Sequence, residues 1–521
     1  MPVGAYFVAP NGSDSAAGTQ AAPWRTLAHA ISAARSGSTI VLRAGNYNES
    51  VTVQATKSLT IQSFPSEAVW LDGSTPVDNW TRSGNTWVHN GWTAKFSSLA
   101  SYTKTVPTAP GFAFVNPAYP MAAYPDQVWF GTEPLTQVAT AAAVGPGTFY
   151  VDYQSDQLVV GDDPTGHEVT ASNLGIAFTS YGPNVTLRGI GVRKYATAVG
   201  DMGTMRVDGA GDVVENVVSN DNATTGLFVG GTRISVRNVT TSRNGMLGMT
   251  AGYADYLSVD GLLASDNNTQ HFNSAPVSGG LKIARSRNIT VRNSSFIKNL
   301  GVGVWFDESC YNLVLVGSTV TGNSTNGAVA EVSSTGVIAN NTITGSGAIG
   351  LKINNTDGLQ IWNNTIIGNR SQVQIVEDNR RGTNPANAGH DPRQPQPDPT
   401  EPWVIRNDAF MNNVVGPSSS GMPQLIVRDY SGQYAADQLN VVISGNAFVG
   451  AAAGGLVTWG TGGSGATTYP TVPAFQAGTG QRGNAGPPTL AAVDSSLGMP
   501  LPPSVAAIAQ LAAGLTRVGA V

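Results

Sequence analysis

The chain has 521 residues and a formal net charge of −5, so nothing in its composition points to nucleic acid as a partner. Charged residues make up only 12% and glycine fills 62 positions, which favours turn-rich β structure over Lys- and Glu-rich helices. The single cysteine, Cys310, excludes an internal disulfide framework. No apolar run reaches the ~18 residues of a helical membrane span.

The opening segment, Met1 to Pro10, lacks a basic stretch followed by a long apolar one and does not read as a secretory signal. The expectation is an extracellular or virion-associated protein. Residues 1–75 read as an N-terminal cap and a first coil. Tyr6–Val8 is a predicted strand. Leu27 to Ala34 is a short amphipathic helix that Thr26 can cap. Strands follow at Thr39–Leu42, Val51–Val53 and Leu59–Ile61. A helix at the open end of a stacked β structure covers strand edges that would otherwise template aggregation.

The runs Tyr6-Phe7-Val8-Ala9-Pro10-Asn11-Gly12-Ser13-Asp14, Gly18-Thr19, Pro23-Trp24-Arg25-Thr26-Leu27 and Val41-Leu42-Arg43-Ala44-Gly45-Asn46-Tyr47 carry a resemblance. The chain is similar here to right-handed parallel β-helix proteins of the pectate-lyase-like superfamily. That resemblance implies the fold and a carbohydrate-active protein. It does not fix the reaction, because one fold hosts many.

Residues 76–170 interrupt the pattern. Trp80, Trp87, Trp92 and Trp129 accompany short strands at 127–130, 148–151 and 157–160, which predicts an inserted β subdomain with its own small aromatic core. Residues 171–450 then repeat. The leading positions 280, 303, 327, 350 and 372 step by 23, 24, 23 and 22 residues, the period of a solenoid. The fold class is therefore all-β, a right-handed parallel β-helix with an inserted β subdomain and capping helices. Asn sequons such as the one at Asn341 recur at coil corners and read as hydrogen-bonded ladders. Two insertions break the period, a loop at 267–278 and a Pro-rich loop at 379–402. Both are expected to wall a groove. Strands are predicted again at 403–406, 424–427 and 440–444. Residues 451–521 form a C-terminal cap with a helix at 504–513.

Aligning the coils on their leading residue separates two stripes. Leu281/Ile283, Val304/Phe306, Ala328/Ala330, Leu351/Ile353 and Val373/Ile375 should point inward. The outward stripe carries Lys282, Trp305, Asp307, Glu331, Lys352 and Asn354. Adjacent rungs lie about 4.8 Å apart, so Asp307 and Glu331 should sit side by side with the lysines on either flank. Two carboxylates so placed suit a glycoside hydrolase, retaining if they act about 5 Å apart and inverting if the partner lies two rungs away, and Trp305 offers a ring for a sugar. Glu377, Asp378 and Asp429 extend the acidic stripe as further substrate contacts, and His271 joins from its loop.

A second reading uses the same residues. Asp307, Glu331 and Asn354 can hold Ca²⁺ through oxygen, with Lys282 or Lys352 taking a proton from a uronate. This is the β-elimination that the resemblance implies for polysaccharide lyases of the superfamily. It lacks a clear arginine partner, because Arg380 and Arg381 fall at a loop start, so the hydrolase ranks first. A third reading is a phage tail-spike or minor tail protein that binds surface glycan. The expected partner throughout is a polysaccharide or oligosaccharide. The chain is expected to act as a monomer or homotrimer, without a cofactor unless it is a Ca²⁺-dependent lyase.

Overall fold

A computed structural model describes residues 4–102, 113–451, 453–496 and 498–520. The chain divides into two compact units. One comprises Met1–Thr250 with Asp266–Ser278, the other Ala251–Ser265 with Gly279–Val521.

In both units the coils run through three parallel sheets, one strand per sheet per turn. In the first unit Val51–Val53 pairs with Phe178–Ser180, which pairs with Met205–Val207 and then Thr225–Val229. In the second, Gly279–Ala284, Val302–Asp307, Ala328–Glu331, Ile349–Asn354, Ser371–Glu377 and Leu425–Asp429 stack in parallel register. This is the right-handed parallel β-helix expected from the period. The inward stripe is as predicted. Leu281, Val304, Ala328, Leu351, Val373 and Leu425 form one buried column, and Ile283, Phe306, Ala330, Ile353, Ile375 and Val427 the next. Each larger member contributes about 1.5–3 kcal/mol through burial, which is why the alternation fixes which face is core.

Asparagines hold the corners. Asn341, Asn364, Asn413, Asn446 and Asn484 form a chain in which each Nδ2 donates to the next Oδ1 at 2.9–3.0 Å. The same amides accept from backbone N–H groups, so each turn's orphan donors are satisfied inside the corner. The first unit repeats the device with Asn222, Asn244 and Asn267. Other asparagines, such as Asn312 (φ 55°) and Asn363 (φ 55°), take the left-handed conformation at turns, where their short polar side chain is tolerated.

The N-terminal helix is Leu27–Ala33, with Thr26 accepting from the His29 N–H at 3.1 Å. Glu49 also accepts from the N–H groups of Leu27 and Ala28 at 2.8 Å, so a carboxylate closes the helix start. The interrupting segment folds into two small sheets. One contains Ser74–Pro76, Val128–Phe130, Glu133–Pro134 and Val169–Ser172. The other contains Thr81–Ser83, Thr86–Asn90, Thr136–Gln137, Thr148–Asp152 and Gln157–Val160. Val128, Phe149, Leu158 and Val160 pack there with Trp80, Trp87 and Trp92.

Two expectations about the C-terminal part change. No strand forms at 403–406. Trp403 adopts φ 54°, is fully buried and stacks on His390 at 4.3 Å, so its apolar character serves the Pro-rich loop. The tail also holds a hairpin, Val457–Gly462 with Gly465–Tyr469, and a helix, Val472–Thr479, that its Gly-, Ala- and Pro-rich composition hid. The last helix, Pro503–Ala509, lays Val505, Ala506 and Ala509 on Val314, Val316, Val337, Ala339, Trp362 and Met411. It thereby covers an outer sheet face that would otherwise be apolar and exposed. No helix among the described residues is long and apolar enough to cross a membrane.

Candidate active site

The outward stripe of the second unit lies in the sheet that begins at Gly279–Ala284. Register aligns Lys282 with Trp305, Trp305 with Val329, and Val329 with Lys352. It also aligns Glu331 with Asn354. Phe306 pairs with Ala330, so Asp307 and Glu331, the residues that follow, occupy neighbouring rungs. The sequence placed these side chains on one face, and the backbone puts them there.

Each carboxylate has a cation beside it. Asp307 is not one half of an isolated carboxylate pair. Its Oδ2 lies 2.7 Å from the Lys282 ammonium, with both side chains about 10% exposed or less. Its Oδ1 accepts from the Glu308 N–H at 2.8 Å. The same ammonium sits 4.0 Å over the Trp305 ring, so one face of that ring is taken by a cation rather than open to a sugar. The buried Trp305 Nε1 has no partner among the described residues.

Glu331 has its own cation. Arg380 reaches it at 2.6 Å and also binds Asp378 at 2.7 Å. Asp378 accepts from Asn354 Nδ2 at 3.2 Å and from the Arg380 N–H at 2.9 Å. The Arg380 side chain, chiefly through its hydrogen bond to Asp378 against the cost of burial, holds the Asp378 carboxyl below the usual carboxylate range. Sequence reasoning left Arg380 at a loop start. The loop instead turns it back onto the stripe, 49 residues from Glu331 in sequence. Lys352, half-buried, makes no ion pair among the described residues.

The remaining acidic candidates are corrected. Glu377 and Asp429 are not an exposed extension of the stripe. Glu377 is fully buried, pairs with Arg381 at 2.5 Å and accepts from the Ile405 N–H at 3.0 Å. Burial first, and then the Asp429 charge, push its carboxyl up to about 7 against the pull of Arg381. Asp429 accepts from the N–H groups of Ser431, Gln433 and Tyr434 at 2.7–2.8 Å and so builds a turn. His271 belongs to the first unit, where its ring stacks on Tyr119 at 4.2 Å.

The Pro-rich loop walls the stripe. Ser309 donates to the Gly389 carbonyl at 3.1 Å and Arg285 to the His390 carbonyl at 3.0 Å, just beyond Asp307. Arg287 pairs with Asp398, and Arg393 bridges Asp391 and Asp255. These bonds tie a segment without strands to the sheet corner.

A bound Ca²⁺ does not fit this arrangement. The oxygens of Asp307 and Glu331 face an ammonium and a guanidinium, and Asn354 turns its amide nitrogen to Asp378 and Asn355. No group of three or more metal-ligating side chains with suitable geometry exists among the described residues.

The family model described as "Right handed beta helix region" matches residues 203–371, across the coils that carry Lys282, Asp307, Glu331 and Lys352. The structure titled "The complex structure of XylC with xylose" superposes with a TM-score of 0.64 over 85% of this chain and 83% of that one, at 16% identity. The chain shares the right-handed parallel β-helix fold. A second family model, "Protein of unknown function (DUF1565)", matches residues 10–55 of this β-helix protein. Two curated relatives match over short stretches. The uncharacterized protein YwoF of Bacillus subtilis is 39% identical over 71 residues, 13% of this chain. The pectate lyase PEL9 of Emericella nidulans is 40% identical over 82 residues, 14% of this chain. The matches span only 15% and 20% of those relatives' own lengths.

Proposed function

We propose that this β-helix protein is a carbohydrate-active enzyme, and specifically a glycoside hydrolase that uses Asp307 and Glu331. The observation that carries the reading is the pair of carboxylates on neighbouring rungs, each held by its own cation, the buried Lys282 and the half-buried Arg380. Their rungs are one strand spacing apart, about 4.8 Å, in keeping with the roughly 5–5.5 Å separation of retaining glycosidases. The pectate lyase relative and the xylose of the XylC structure bring saccharides to the same reading.

In this scheme Asp307 is the nucleophile. The Lys282 ammonium and the Glu308 N–H fix its orientation, and its free lone pairs attack the anomeric carbon. Glu331 gives a proton to the glycosidic oxygen as the bond breaks, then takes one from the water that releases the sugar from Asp307. Arg380 remains paired with Asp378 when Glu331 carries its proton, so neither step leaves the guanidinium without a carboxylate. Substrates of this kind put the enzyme outside the cell or on a virion.

A second reading is a polysaccharide lyase. Arg380 now supplies the arginine that the sequence pattern lacked, and Lys352, without an ion pair, is available to take the proton. A glycan panel separates the two. The hydrolase releases new reducing ends without an unsaturated, ultraviolet-absorbing product, and EDTA has no effect. An unsaturated product from every cleaved substrate overturns the hydrolase reading.

A further inference from the structure

The first unit holds a cavity of about 1010 Å³ that the proposed reaction does not use. It is at the upper end of the size of small-molecule sites. One wall is Tyr119, exposed on one face and backed by His271 at 4.2 Å. The loop at 267–278 supplies that backing, with Phe272 anchored beside Phe114, Met246 and Leu247. A tyrosine held flat in this way is a platform for the apolar face of a sugar ring.

The polar groups around it are unusual. Gln137 Oε1 and Asn220 Oδ1 both line the cavity, both are buried, and neither has a hydrogen-bond partner among the described residues. Gln137 donates its Nε2 to Asp126 at 3.4 Å, which leaves its carbonyl oxygen as the free end. Both oxygens are closed to solvent, so they stand behind the cavity wall rather than in its open space.

The cavity also contains a cation without a counter-ion. Arg193 is paired with Asp72 at 2.8 Å and Arg243 with Asp221 at 2.8 Å. Lys194 is not paired. Its Nζ lies 4.5 Å over the Trp129 ring and donates to Thr170 Oγ1 at 3.2 Å, with no carboxylate within ion-pair distance among the described residues. The one acidic side chain of the lining that has no cation, Glu133, is exposed. Lys194 itself adopts φ 58°, a conformation a lysine rarely takes unless the surroundings impose it.

We propose that this cavity is a second saccharide-binding site, selective for a sugar that carries a carboxylate. The carboxylate meets Lys194 and the ring rests on Tyr119. The inference does not depend on the hydrolase reading, since it concerns binding in the other unit.

The test is calorimetric titration of the full chain carrying Asp307→Asn and Glu331→Gln, so that bound sugar is not turned over. The probes are trigalacturonate and neutral xylotriose. Trigalacturonate should bind, Lys194→Met should weaken it at least tenfold, and Lys194→Arg should restore most of the loss. Any xylotriose binding should be unaffected by Lys194→Met. Tyr119→Ala, at an exposed side chain, should weaken trigalacturonate too, and it carries the test if Lys194→Met does not fold. Absence of trigalacturonate binding, or binding indifferent to both Lys194→Met and Tyr119→Ala, overturns the proposal. Hydrolysis by the unsubstituted chain is measured separately, so either idea can fail alone.

Discussion

Replacing Lys282 by methionine isolates the charge that orients Asp307. Methionine keeps most of the apolar stem, so the packing beside Trp305 changes little. What goes is the 2.7 Å ion pair and the cation 4.0 Å over the ring. Removing one partner of a buried pair costs about 3–5 kcal/mol, because the other charge is left desolvated. Asp307 keeps the Glu308 N–H at 2.8 Å and a side chain 9% exposed, so the lower end, about 3 kcal/mol, is expected. The assay is urea unfolding of Lys282→Met, Asp307→Asn and the double variant, followed by tryptophan fluorescence. The double variant should recover at least ~1 kcal/mol relative to the sum of the singles, since neutral Asp307→Asn no longer needs the ammonium. A solenoid need not unfold in one step, so the comparison uses the transition in which the singles shift. A coupling below ~0.5 kcal/mol, or a Lys282→Met chain as stable as the parent, refutes the claim that this pair is buried and mutually dependent.

Two further expectations concern stability. Asn364→Ala removes a side chain that accepts from Asn341 and donates to Asn413 and to the Ile338 carbonyl, all at 2.9 Å. It leaves several buried groups unsatisfied at ~1–3 kcal/mol each, so the urea midpoint should fall clearly, whereas Asn312→Ala at an exposed corner should cost much less. Glu377 titrates near 7 when folded and near 4.5 as a free side chain. The folded chain therefore binds more protons in that window, and this contribution to stability falls as pH rises from about 4.5 to 7 and is flat above. Urea midpoints of Glu377→Gln should lack that part of the slope; identical pH profiles for variant and parent contradict the assignment.

Much of the fold was readable because it depends on local alternation repeated at a fixed step. The 22–24 residue spacing and the columns led by Leu281 and Ile283 needed no knowledge of long-range contacts. The helix at Leu27–Ala33 was marked by its own cap, Thr26. The site was readable only as far as the sheet register carried it, which put Lys282, Asp307, Glu331 and Lys352 on one face. Arg380 was missed because a two-residue period says nothing about where a loop sends its side chains. Trp403 misled for a related reason: an apolar run beside a Pro-rich loop can be the loop's own core. Glu377 and Asp429 looked available because they are acidic at outward positions, and only the loops folded over them show the burial. In each of these cases the deciding contact joins residues that the chain brings together after leaving the repeat.

The central claim rests on Asp307 and Glu331 performing one reaction. The most direct measurement is the steady-state rate of glycan cleavage, on whichever polysaccharide the unsubstituted chain cleaves, for Asp307→Asn and Glu331→Gln, with folding verified for each. Each variant should lose on the order of 10²–10⁴-fold in kcat, with neither keeping more than a trace of activity. Full activity in both would show that the chemistry lies elsewhere on the molecule.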